Sequence, residues 1–249
     1  MGEWRFVSRA KKFTREQLLP CVLPDIPRGT AAPPIVWSEL FGNDHPVEVE
    51  IGFGKGLFLT TSAAANPRVN YFGVEIERKY QLFAATRLLE RGLSNVRVAC
   101  EDAGQLLRDR VAPQSVRVAH VYFPDPWWKT KHRKRRVFTP EFAVATGNVL
   151  EVGGRLSIAT DVEAYHGVMT NIIRGMSPAF RELPPPEPSV GMDDTDYLTN
   201  FERKFRKQGR PIYRAVFERT DSPLLPLTIL EPALALPFIE YRPASAIDE

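Results

Sequence analysis

Residues 47–51, Val47-Glu48-Val49-Glu50-Ile51, alternate apolar and acidic side chains and then run into Gly52-Phe53-Gly54-Lys55-Gly56, after which 57–65 is small and apolar. A strand that ends in a glycine-rich turn and passes into a helix is the opening unit of a strand–helix–strand fold. Asn66-Pro67 stops that helix, and the unit then repeats. Residues 70–75 read as a second strand. Residues 78–91 read as a helix, with Tyr80, Leu82, Phe83, Leu88 and Leu89 among charged positions and Gly92 as its C-terminal cap. A strand at 96–99, a helix at 103–110, a nearly continuous apolar strand at 116–123, a helix at 141–150 and a strand at 155–159 follow. This alternation predicts an α/β fold with right-handed crossovers and a doubly wound, mostly parallel sheet.

After Asp161 the pattern changes to a helix reaching about Arg174, a proline-rich stretch containing Pro184, Pro185 and Pro186, and a last strand at 212–217. The late part is expected to add an antiparallel edge strand to one domain spanning 36–220. Residues 1–35, with Arg5, Arg9, Lys11 and Lys12, read as a basic N-terminal arm, and 221–249 as a tail without an assigned role. At 249 residues the chain is long enough to bury a substantial core alone. It holds no apolar run of bilayer-spanning length and no apolar signal core, so no membrane role is expected and the cytoplasm is the default location. Cys21 and Cys100 are far apart and lack CxxC spacing, which argues against a disulfide framework or a zinc site. Both read as ordinary thiols, Cys100 as a buried one. The histidines at 45, 120, 132 and 166 show no ligand spacing, so no metal is expected.

Ligands of such sheets bind at the carboxyl ends of the strands. In the turn after the first strand the third glycine comes one residue early for a dinucleotide fingerprint, and Leu57 stands where that fingerprint has glycine. Gly52, Gly54 and Gly56 still allow close approach of backbone to ligand. Glu50 precedes this turn, Glu75 ends the second strand in a position to accept ribose hydroxyls, and Asp102 follows the third. Successive carboxylates would repel a pyrophosphate and suit a cationic nucleoside such as S-adenosylmethionine. Asp102 also fits the N-cap of the next helix.

Phe123-Pro124-Asp125-Pro126-Trp127-Trp128 leads directly into KTKHRKRR at 129–136, which carries six of the chain's Lys and Arg; without it the formal net charge of +3 would become −3. Concentrated charge of this kind can neutralise a phosphate backbone and release counterions, although a solvated basic loop reads the same way. Asp125-Pro126-Trp127 partly mimics the D-P-P-[YFW] motif of amino-methyltransferases but lacks its second proline. A non-catalytic RNA-binding protein on the same fold is the other alternative, against which the retained carboxylates and glycine turn stand.

EIGFGKG at 50–56, GVEI at 73–76, EDA at 101–103, FPDPWWKTKHRKRRV at 123–137, TDVEAY at 160–165 and TNFERKF at 199–205 together resemble the bacterial-type tRNA (guanine-N7-)-methyltransferases. The resemblance implies a Rossmann-like class I methyltransferase fold and transfer of methyl from S-adenosyl-L-methionine to guanine N7 in the tRNA variable loop, at position 46. It implies cofactor contacts at Glu50, Glu75, Asp102 and Asp125, and substrate contacts at Lys129, Asp161, Thr199, Asn200, Phe201 and Glu202. By analogy no accessory protein is required, and the oligomeric state, monomer or homodimer, stays open. Trp128 stands where the family has a basic or polar residue, and Asn200 where it has Lys.

N7 carries an in-plane lone pair and no proton, so its methylation needs positioning and charge stabilisation rather than a strong base. Asp125, stiffened by its flanking prolines, is the candidate catalytic residue, able to accept from guanine N1 and N2. Trp127 and Trp128 are candidates for base stacking or loop packing. Lys131, Arg133, Lys134, Arg135 and Arg136 are the candidate grips on the RNA backbone, and Arg203, Lys204, Arg206, Lys207 and Arg210 form a second basic group.

Overall fold

The computed structural model describes residues 13–24, 26, 30–127, 136–184, 199, 202 and 208–224. Its strands are β1 (Val47–Ile51), β2 (Asn70–Glu75), β3 (Val96–Cys100), β4 (Val116–Tyr122), β5 (Leu150–Thr160), β6 (Phe180–Leu183) and β7 (Tyr213–Arg219). They form one seven-stranded sheet ordered β3-β2-β1-β4-β5-β7-β6. The pairs β1–β2, β1–β4, β2–β3 and β4–β5 are parallel, while β7 runs antiparallel to both β5 and β6 at the far edge. The helices are α1 (Arg15–Leu18), α2 (Trp37–Phe41), α3 (Leu57–Ala65), α4 (Arg78–Glu90), α5 (Ala103–Arg110), α6 (Pro140–Val149) and α7 (Glu163–Arg174).

Because side chains alternate across a strand, each face of the sheet builds its own core. Val47, Val49 and Ile51 of β1 join Phe72, Val121, Ile158 and Phe217 under α5, α6 and α7. Tyr71, Val96, Val98 and Tyr122 lie on the other face under Phe58 and Leu59 of α3 and Ala84, Ala85 and Leu88 of α4. Helices on both faces make the sheet doubly wound. They also bury β1 on both sides, Glu48 and Glu50 included, at 8% and 2% exposure. The acidic positions of the alternating pattern therefore face a helix layer rather than water.

Two further segments pack onto this core, one along the edge beside β3 and one against the end of α5. Leu18 and Cys21 pack into the α3–α4 layer, and the Leu23 N–H donates to the Val98 carbonyl at 2.9 Å. The Ile35 N–H donates to the Arg110 carbonyl at 2.7 Å, and Arg110 returns a bond to the Pro33 carbonyl at 2.9 Å.

The strand expected at 155–159 is longer in the structure and starts at Leu150, the last residue of the helix expected at 141–150. Leu150 is already extended, and the register with β4 shifts between Val116 and Val118. Gly153, at φ 82°, lies in the stretch that absorbs this irregularity. Cys100 is half-buried rather than buried, because it ends the outermost strand; Cys21 is the buried thiol. Among the described residues no helix is long and apolar enough to cross a membrane, and no cluster of His, Cys, Asp and Glu has the makings of a metal site.

Candidate active site

The chain winds outward from β1 through β2 to β3, then returns to β4 and winds the other way, so strand order reverses between β1 and β4. Ligands of open α/β sheets bind above such a switch point. The turn after β1, the end of β2, the start of α5, the loop after β4 and the residue after β5 all lie at this carboxyl edge.

Gly52, Gly54 and Gly56 have φ of 73°, 51° and 66°, a region costly for any side chain with a Cβ. At Gly56 a Cβ would also come 3.0 Å from that of Ala84 on α4. Glu75 braces this turn from the neighbouring strand. Its Oε2 accepts the Gly54 N–H at 3.0 Å, and its Oε1 accepts the N–H groups of Ile76 and Glu77 at 2.9 and 3.1 Å. Asp102 is exposed and caps α5, its Oδ1 accepting from the Gln105 N–H at 2.8 Å.

Glu50 sits below the turn with no hydrogen-bond partner for its Oε2 among the described residues. Burial, reinforced by the charge of Glu75 and only partly opposed by the Leu59 N–H, pushes its carboxyl up to about 8. Glu48, two residues earlier on the same face, goes the other way. Burial raises it, but His120 and Arg117 together outweigh burial and hold it below the usual carboxylate range. His120 bridges Glu48 Oε2 and the Tyr122 hydroxyl, each at 2.9 Å, and Tyr122 donates to Ser157 Oγ at 3.2 Å. Phe58 covers this chain, its ring 4.5 Å from that of His120. Sequence reasoning misses the network because its members are scattered over β1, β4 and β5.

The loop after β4 is backbone held in an uncommon shape. Phe123 and Trp127 have φ of 52° and 40°, and bulky residues pay roughly 1–3 kcal/mol each for such positions. The Phe123 N–H is anchored on the Ala159 carbonyl at 2.7 Å. Arg136 anchors the other end, with Nε 2.7 Å from the Pro126 carbonyl. Asp125 is exposed between its two prolines.

Asp161 follows β5 and is ion-paired with Arg210. Thr199 and Glu202 are buried, the Glu202 N–H donating to Thr199 Oγ1 at 3.0 Å. Glu202 meets Arg214 of β7 at 2.5 Å. Arg214 pairs with Ala159 across the β5–β7 ladder, which places Thr199 and Glu202 at the same carboxyl edge as Asp161. The structure thus gathers Glu50, Gly52, Gly54, Gly56, Glu75, Asp102, Asp125, Asp161, Thr199 and Glu202 along one edge. Lys129, Lys131, Arg133, Lys134, Arg135, Trp128, Asn200 and Phe201 lie outside the described residues, as do Arg203, Lys204, Arg206 and Lys207. Sequence reasoning groups Arg210 with surface cations and does not single out Arg214; a cation amid the apolar run of a strand is the available signal.

A seven-stranded sheet with β7 inserted antiparallel between β5 and β6, its glycine turn and acidic strand ends at the switch point, defines a class I methyltransferase. Solved structures share the fold. The 16S rRNA methyltransferase KamB aligns at TM-score 0.55 with 15% identity, covering 74% of this chain and 92% of that one. The antibiotic-resistance methyltransferase Kmr aligns at TM-score 0.51 with 16% identity, covering 76% and 96%. Residues 44–215 match a family model described as "Putative methyltransferase". The tRNA (guanine-N(7)-)-methyltransferase of Rhodopirellula baltica is 42% identical over 185 residues, 72% of this chain and 68% of the relative. That of Yersinia enterocolitica is 35% identical over 188 residues, 76% and 78% of the two chains. The chain belongs to the tRNA (guanine-N7-)-methyltransferase family.

Proposed function

We propose that this enzyme transfers a methyl group from S-adenosylmethionine to N7 of a guanine in the variable loop of tRNA, in the cytoplasm. The observation that carries the reading is the juxtaposition, across the switch point, of the glycine turn and the fixed Asp125 loop. The cofactor fits the residues present. Glu50 is a buried carboxyl with an orphaned oxygen, as a neighbouring cation requires, and the turn above it has no side chains at three positions.

When bound, S-adenosylmethionine supplies an electrophilic methyl on a sulfonium, so that bonding to N7 as the carbon–sulfur bond breaks leaves a thioether and moves the positive charge onto the base. Asp125 accepts from guanine N1–H and N2–H, orients N7 and offsets the charge that develops on the ring. Glu75 holds the glycine turn and keeps acceptor capacity for ribose hydroxyls. Arg210 and Arg214 hold Asp161 and Glu202 in place at the substrate side. Lys131, Arg133, Lys134 and Arg135 draw in the phosphate backbone.

The test incubates the protein with labelled S-adenosylmethionine and unmodified tRNA transcripts, then digests the RNA and identifies the labelled nucleoside. 7-Methylguanosine from the variable loop is expected. A methylated exocyclic amine, or no incorporation despite cofactor binding, refutes the reading.

A further inference from the structure

Arg136 closes the basic run at 129–136, yet its guanidinium is engaged by the protein itself. Nε donates to the Pro126 carbonyl at 2.7 Å and Nη2 reaches the Trp127 carbonyl at 3.4 Å. The guanidinium carbon lies 5.7 Å from the ring centroid of Tyr165, a fully buried residue of α7. We infer that Arg136, seated on Tyr165, is a positioning residue for the reaction, setting the backbone from which Asp125 projects, rather than a grip on RNA phosphate. This inference rests on the assignment of Asp125 given above.

The two ends of the loop make the case. Left-handed backbone at Phe123 and Trp127 persists only where the surroundings over-determine it. At the first end the Ala159 carbonyl does so through the Phe123 N–H, and that bond is continuous with the β4–β5 ladder. The second end has left the sheet, and there the two carbonyls following Asp125 are the ones that Arg136 holds. A planar fork that addresses two carbonyls while stacking on an aromatic face is arginine chemistry; an ammonium carries the same charge without either property. A phosphate at Arg136 would have to compete with both carbonyls and the ring.

Lysine and glutamine substitutions separate the two roles. Arg136→Lys keeps the charge but not the fork, so kcat at saturating tRNA should fall about a hundredfold, the scale of a misplaced catalytic group, with KM little changed. Amide exchange at Phe123, Asp125 and Trp127, the loop residues that carry an N–H, should quicken about tenfold or more in the free protein, while exchange in β4 and α7 stays at the parent rate. Arg136→Gln should leave the salt dependence of tRNA binding at the parent slope, whereas loss of a phosphate contact lowers that slope by roughly 0.7–0.9. Tyr165→Leu should reproduce the local rise in exchange. Full kcat in Arg136→Lys, a reduced slope in Arg136→Gln, or a uniform rise in exchange over the whole sheet would each overturn the inference. The exchange measurement needs no turnover, so it decides the role of Arg136 even if the methyl-transfer assay of the parent fails.

Discussion

Replacing Glu50 by Gln tests the least comfortable residue of the site. In the folded chain its carboxyl is raised from 4.5 to about 8. Below pH 4.5 both folded and unfolded forms hold the proton, and between 4.5 and about 8 only the folded form does. The unfolded state then binds fewer protons, so stability falls as pH rises through this window and levels off above it. Between about pH 5.5 and pH 7.5 this one group removes ~2.5 kcal/mol from the parent. The glutamine side chain in the variant cannot ionise. The stability gap between parent and Glu50→Gln should therefore move by that amount in favour of the variant, ~5–10 °C in melting temperature for a chain of this size. Thermal unfolding of both proteins without nucleoside, at several pH values, reads the gap directly. Shifts at Glu48 and His166, both below their ordinary values, occur in both proteins and cancel. A gap that stays constant to within about 0.5 kcal/mol would mean that Glu50 is ionised and stabilised in the folded chain, and the argument from its burial would fail. The same reasoning extends to the ligand. A cation beside Glu50 favours its charged form, so binding of S-adenosylmethionine near neutral pH should release a proton from the parent and not from Glu50→Gln, as calorimetry in buffers of different ionisation enthalpy would register.

Asp125→Ala should cut turnover by about a hundredfold or more while changing S-adenosylmethionine affinity little, measured by single-turnover kinetics and titration; undiminished tRNA methylation would remove it from the reaction. Arg214→Met removes an ion-pair partner of the buried Glu202 carboxylate and should cost about 3–5 kcal/mol, visible as a drop in melting temperature that Arg210→Met, a more exposed cation, does not match. Gly73→Ala would place a Cβ 2.5 Å from Leu59 Cδ1 and 2.7 Å from Phe53 Cδ1, and chemical denaturation should show a loss of about 1–3 kcal/mol. Replacing Arg133, Lys134 and Arg135 together by Ala should reduce the salt slope of tRNA binding by roughly 2–3, and an unchanged slope would leave the run without a role in binding.

The carboxyl-edge residues were legible because each marks a transition in the pattern. Glu50 precedes a glycine turn, Glu75 ends a strand, Asp102 caps a helix and Asp125 sits between prolines, all features of neighbours along the chain. What stayed hidden are pairs made across the sheet. Glu48 meets His120 and Arg117 at separations of 72 and 69 residues, and no local pattern announces that an acidic position of β1 will lie under Phe58. Arg136 shows the same limit within a motif. In a run of like cations every member has the same composition signal, and the carbonyls of Pro126 and Trp127 and the ring of Tyr165, which engage Arg136, are invisible to it.

That separation of roles within the run bears on how one edge of the sheet serves two opposite charges. Glu75, Asp102 and Asp125 make the switch point acidic, which suits a cationic cofactor and repels the phosphates of the substrate. On the proposed reading, the basic run that follows Asp125 in the sequence offsets that repulsion for an approaching nucleic acid, acting over a Debye length of about 8 Å at physiological salt. The segment needs an attachment that does not itself depend on RNA. Arg136 ties the end of the run to the loop of Asp125 and to α7, so on the proposed reading the residue that closes the run also fixes the backbone that carries the Asp125 carboxylate. Loosening the clamp should therefore impair the reaction more than the binding, the opposite of what is expected from neutralising the other cations.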